Sequence, residues 1–184
     1  MPISRRRFLA KGTSLLVGSG VVVGCSVQAR GGEPAATLSL ETTYVVNPVG
    51  RVVAKKDKPP RILLFDRYAS GFLGLAEWSH VYVLWWFDKS DMPGRRGTLQ
   101  IHPRGDRKNP LTGVFACRAP VRPNLIGLTV CKVVSVEGAV LTVDTIDAYD
   151  GTPVLDLKPF TPADVPREGI RVPEWARGGP RKDG

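Results

Sequence analysis

Arg118, Pro120, Arg122, Pro123 and Asn124 fall within seven consecutive residues, a combination with chemical potential. Each proline fixes its own backbone and restricts the residue before it, so the loop loses little entropy on ordering. A stiff loop can aim two guanidinium groups, whose planar forks suit a carboxylate, a phosphate or a nucleobase edge. Asn124 can hydrogen-bond within the loop or to a ligand. A second polar segment runs from Asp147 to Pro159, where Asp150-Gly151 is a strong turn signal stiffened by Thr152-Pro153. Asp150 can accept hydrogen bonds from hydroxyls or an amino group, or fix an arginine of the first loop. Asp156 and Lys158, two apart in a short strand, share a face. A third segment is the abrupt end of an apolar run in Asp88 and Lys89. Surface turns with ordinary ion pairs account for all three equally well, and none of them alone specifies a reaction.

The elements that position these loops read as strands. Residues 44–54 form a first strand with a turn at Asn47-Pro48, and 61–65 a second. The strongest strand, 81–87, is apolar on both faces, so it is central or covers a subunit contact as well as the core. Short strands are expected at 98–103 and 114–117. Residues 128–146 make the clearest hairpin, turning at Glu137-Gly138, and the chain re-enters a strand at Val154-Leu155. No long helical period occurs in the body, and seven or eight short strands favour a barrel or strongly curved sheet. The glycine fingerprint of a dinucleotide-binding fold is absent, and His80 and His102 lack metal-ligand spacing. Trp78, Trp85 and Trp86 are packing residues first. Cys117 and Cys131 fit either a pair or buried free thiols.

The chain has 184 residues, 42% apolar and 23% charged, which suits one globular domain. Its formal charge of +9 is partly the property of its first residues. Ser4-Arg5-Arg6-Arg7-Phe8-Leu9 with Lys11 precedes an apolar, glycine-rich run and resembles a twin-arginine signal. Val22 to Ser26 resembles a lipobox, with Cys25 the expected lipidation site. Removing residues 1–24 takes away four basic residues and no acids, leaving 22 basic against 17 acidic, or +5. The expected organisation is a signal segment over 1–24, a flexible linker over 25–43, a folded domain over 44–177 and a disordered tail over 178–184. The leader predicts export to the cell envelope, with the twin-arginine translocase and a membrane lipid anchor at Cys25 as partners.

Five ordered blocks then name a family: GLAEWSHVYVLWWF, LQIHPRGD, GVFACRAPVRPNLIGLTV, DAYDGTPVLDLKPF and RVPEWAR. Together, over roughly Asn47 to Arg177, they resemble the TsaA-like, or TrmO, family of tRNA methyltransferases. The resemblance implies a mainly β, single β-barrel domain with few short helices, commonly dimeric, that binds S-adenosylmethionine. It implies methylation of N6 of threonylcarbamoyladenosine at position 37 of tRNA. Under it, Arg61, Asp88, Lys89, Arg118, Leu128, Ala148, Tyr149, Asp150 and Gly151 would bind the cofactor, with Asp150 also orienting the reacting amino group as the candidate catalytic residue. Arg104, Arg107, Lys108, Arg122, Asn124 and Lys158 would contact the tRNA. Departures fall at Asp88, where the family commonly has His, at Ala119 for Ser, at Leu125 for Pro and at Phe160 for Tyr. Of the usual Pro-Arg-Gln near the cofactor, only Pro60-Arg61-Ile62 is similar. Leader and family pull apart, since an exported protein meets neither substrate. The alternatives are a tRNA methyltransferase working in the cytoplasm, and an exported or lipid-anchored module that keeps the fold but has changed its activity. A purely structural envelope protein is a third.

Overall fold

The computed structural model describes residues 43–165 and 168–177. The chain divides into two units, Met1–Thr43 and Tyr44–Gly184. The signal segment, Cys25 and all but the last residue of the linker lie outside the described residues, as does the 178–184 tail.

Alternation of apolar and polar residues builds the second unit. Strand β1 (Gly50–Val53) buries Val52, β2 (Arg61–Leu64) buries Ile62 and Leu64, and β3 (His80–Trp86) buries Val81, Val83 and Trp85. After the short pair β4 (Gln100–Ile101) and β5 (Thr112–Gly113) come β6 (Ile126–Glu137), β7 (Val140–Val143) and β8 (Pro153–Pro159). Six strands close in the order β1-β2-β7-β6-β3-β8, every neighbour antiparallel, while β4 and β5 form a separate ribbon. Their inward residues, with Phe72, Cys131, Leu141, Val143 and Val154, make one core. At about 25 cal/mol per Å² of apolar surface, each such side chain contributes roughly 1.5–3 kcal/mol.

The expected class is corrected in its proportions. The chain's short helical segments are not few, and its strands do not all join one barrel. Among the described residues, eight 3-10 segments are interspersed with the eight strands. The connections are short and rich in Gly and Pro, and they tighten into i→i+3 turns, with Pro103 and Pro162 each opening one. The expected strand at 114–117 is one of these turns: Val114–Ala116 form a 3-10 segment, with Val114 buried and Phe115 exposed. The strand there is instead β5, two residues earlier, whose neighbour Val114 donates its N–H to the Leu99 carbonyl.

Two details bend the frame toward one mouth. β3 pairs with β6 on one side and β8 on the other, and its register with β8 shifts between Leu84 and Trp85, so Leu155 is an extra residue. On the β6 side, Gly127 lies under the Trp85 indole, where an added Cβ would stand 2.4 Å from the ring. Only glycine lets the ring lie that close, and Trp85 Nε1 then donates to Thr129 Oγ1 at 3.1 Å.

Candidate functional site

Three loops meet where β3 ends and β8 begins. Phe87 leaves β3 with its N–H on the Leu125 carbonyl, and residues Asp88–Ser90 turn over the mouth. The arginine loop 117–124 comes from the other side, anchored by fully buried Leu125. The third loop, between β7 and β8, brings Ile146, Asp147, Ala148 and Tyr149. Together with Trp85 these segments enclose a cavity of about 400 Å³, into which Asp88, Lys89, Ser90, Arg118 and Pro120 also project. That volume lies in the range of small-molecule sites, as does its make-up of aromatic and aliphatic walls with a few convergent charges.

The charges are of both signs. Asp88 is held by the Thr152 hydroxyl, which donates to Oδ1 at 3.2 Å, and by Lys89 Nζ, 3.4 Å from Oδ2. Thr152 is buried, so this anchor is fixed. Arg118 and Asp147 are exposed at the rim. A cavity with a guanidinium, an ammonium and two carboxylates suits a zwitterion, each pole finding an opposite charge.

Of the residues predicted to bind the cofactor, Asp88, Lys89, Arg118, Ala148 and Tyr149 are brought together. Asp150 and Gly151 stand behind the wall. Asp150 Oδ1 accepts the Ala54 N–H at 2.9 Å, and Gly151 adopts a φ of 82° while donating to the Val52 carbonyl. They hold the turn to β1. Arg61 lies on β2 opposite Val53 and Thr142, and Leu128 points outward from β6, 44% exposed; neither lines the cavity.

The predicted RNA contacts divide similarly. Arg122 folds back on its own loop, Nη1 donating to the Cys117 and Ala119 carbonyls at 3.4 Å each. The carbonyl of exposed Asn124 accepts the Ile126 N–H. Arg104, Arg107 and Lys108 are exposed on the loop before β5. That loop is braced internally: His102 Nδ1 bonds the Asn109 carbonyl at 2.8 Å, and Asn109 Nδ2 the Pro103 carbonyl at 2.9 Å. Lys158 is paired with Asp156 at 2.8 Å, a contact that raises the lysine's pKa.

Sequence reasoning missed Trp85, Phe87, Ser90, Pro120, Ile146 and Asp147 as cavity residues. The signal for Ile146 and Asp147 was their adjacency to the Asp150 turn; nothing local marked Trp85 as facing a site. Nearby, Asp91 accepts both Arg96 Nε (3.0 Å) and Nη2 (2.8 Å) as well as Trp86 Nε1 (3.2 Å). The bidentate bond from Arg96 holds the Asp91 carboxyl below its usual range. Among the described residues Cys117 and Cys131 are free thiols, and burial, aided by Asp144, pushes Cys131 up to about 12.

Comparison with known proteins places this arrangement. A probable S-adenosyl-L-methionine-binding protein of Methanocaldococcus jannaschii is 42% identical over 64% of this chain and 93% of its own length. A protein of the same description from Pyrococcus horikoshii is 44% identical over 70% of this chain and 91% of its own. The mouse tRNA (adenine(37)-N6)-methyltransferase is 40% identical over 53% of this chain, which spans only 22% of that protein. The crystal structure of TrmO from Pseudomonas aeruginosa superposes with a TM-score of 0.54 at 29% identity, covering 70% of this chain and 62% of that one. The chain thus spans under two thirds of the crystallised TrmO. Location in the cell envelope, expected from the leader, is overturned by these likenesses, because they run along the folded body that holds the cavity. Among the described residues no helix is long and apolar enough to cross a membrane. The model of the tRNA-methyltransferase O N-terminal domain matches residues 49–164, and the chain belongs to that family.

Proposed function

We propose that this chain binds S-adenosylmethionine in the mixed-charge cavity and methylates N6 of adenosine 37 of tRNA, with the threonylcarbamoyl-modified base as substrate. The observation that carries the reading is the convergence of Asp88, Lys89, Arg118 and residues 146–149 on one cavity, within the segment matched to the family. The residues present fit the cofactor: Arg118 matches a carboxylate, Asp88 and Asp147 match an ammonium or hydroxyl groups, and Trp85, Phe87 and Ile146 supply apolar wall. When bound, S-adenosylmethionine supplies an electrophilic methyl group. The chain's own work is then placement, which alone can supply much of a rate enhancement. With Asp88 held by Thr152 and Lys89, Asp147 at the exposed rim is the carboxylate that takes the proton the substrate nitrogen releases. Asp150 acts through the backbone, fixing the turn that carries Asp147, Ala148 and Tyr149. Arg104, Arg107 and Lys108 contact phosphates, which makes tRNA binding weaken with added salt.

The chain pairs with a second copy through the outer face of β6. Ile126, Leu128, Val130 and Val134 are all exposed there, beside Tyr82, Leu84 and Trp86 of β3, and apolar patches of this kind mark association surfaces. The function is tested by methyl transfer to tRNA carrying threonylcarbamoyladenosine, for wild type and Arg118→Ala. Transfer by the wild type, lost in the variant, is expected; a wild type that transfers no methyl group overturns the reading.

A further inference from the structure

Tyr149 is out of keeping with its position. Its side chain is 71% exposed, yet it sits on the turn that lines the cavity. The turn is tied on both sides: Asp150 takes the Ala54 N–H, Gly151 bonds Val52, and Thr152 donates its N–H to the Tyr149 carbonyl at 3.2 Å. The backbone under the ring is therefore fixed. The ring is not: among the described residues it stacks on no other aromatic ring, and its hydroxyl makes no hydrogen bond. The other aromatic walls, Trp85 and Phe87, pack edge to face on each other at 4.5 Å, and Trp85 is only 5% exposed. A large aromatic held out to solvent on a rigid turn loses hydrophobic stabilisation unless something covers it.

We infer that Tyr149 is the stacking platform for the purine that receives the methyl group. The inference rests on the proposed function and extends it from the cofactor to the substrate base. A base whose exocyclic nitrogen must reach into the cavity has to lie across the mouth, and Tyr149 is the exposed ring at that mouth. Stacking needs only a π-face, and a platform preset by its backbone loses little entropy on binding. The purine therefore leaves the anticodon-loop stack and lies against the tyrosine, in the manner of enzymes that act on extruded bases.

The test uses the full chain with an anticodon stem-loop RNA carrying 2-aminopurine at position 37, alongside steady-state methylation of modified tRNA. Tyr149→Ala is expected to abolish the fluorescence change on RNA binding and to raise KM for tRNA about tenfold, a larger change than any it makes in S-adenosylmethionine affinity, since the ring also lines the cofactor cavity. Tyr149→Phe keeps the π-face and restores both readouts. Unchanged fluorescence and KM in Tyr149→Ala overturn the inference, as does a loss of cofactor affinity as large as the rise in KM, or a Phe variant that behaves like Ala. The fluorescence arm needs no catalysis. A wild type that binds the RNA with the signal change but transfers no methyl group therefore sinks the proposed function and leaves the platform standing.

Discussion

Two concavities of the folded unit differ in kind, and the larger of the two is not the one with the chemistry. In the larger, about 510 Å³ lies between the turns of residues 68–78 and the later half of β8, lined by Val49, Leu64, Tyr68, Phe72, Trp78 and Leu157 among others. Its ionisable groups besides Tyr68 are Glu77 and Asp156, both acidic, and Asp156 is already paired with Lys158. The smaller cavity carries Arg118, Lys89, Asp88 and Asp147. Size measures how loosely loops cover a barrel end. Convergent charge of both signs has to be held against repulsion, desolvation and side-chain entropy, and here it is held by a buried threonine, a proline-stiffened loop and a tied turn. That contrast teaches where to look: the site is where the fold has fixed unlike charges.

Substitutions can break the contrast. The largest effect is expected from Gly127→Ala, because a Cβ 2.4 Å from the Trp85 ring forces the indole off β6 and opens the cavity wall. Overpacking of this kind costs about 1–3 kcal/mol, visible as a lower denaturation midpoint together with weakened cofactor binding. Asp88→Asn removes one pole and should weaken S-adenosylmethionine about tenfold with little change in stability, as read by calorimetry. Asp150→Ala releases the Ala54 N–H and should cost about 0.5–1.5 kcal/mol in chemical denaturation, since an exposed turn loses one hydrogen bond. The smallest effect belongs to the larger cavity: Trp78→Ala should leave cofactor affinity within about twofold.

Much of the frame was legible because its signals are local. β3 showed as a β-branched and aromatic run, the β6–β7 hairpin turned at Glu137-Gly138, and the stiff arginine loop and the Asp150 turn stood out by their prolines and turn dipeptide. What escaped depends on distant partners. Val114 and Phe115 look strand-like in isolation, yet the pairing with β4 ends at Gly113 and the chain turns over Val114–Ala116. Asp150 looked like a site residue by type, and its actual partner is Ala54, 96 positions away. Leu128 was expected at the cofactor, but its place in β6 alternates it to the outside, while Gly127 beside it faces Trp85. Ile146, Asp147 and Trp85 become neighbours only because the strands close in a ring and Leu155 shifts the register of β8.

The central claim is that the mixed-charge mouth, and not the larger, acidic one, holds the cofactor through Arg118. Isothermal titration of S-adenosylmethionine into wild type, Arg118→Ala and Trp78→Ala tests it most directly. The account predicts saturable binding by the wild type, at least tenfold weaker binding by Arg118→Ala, and no change in Trp78→Ala. Equal binding by wild type and Arg118→Ala, or a loss confined to Trp78→Ala, would contradict it.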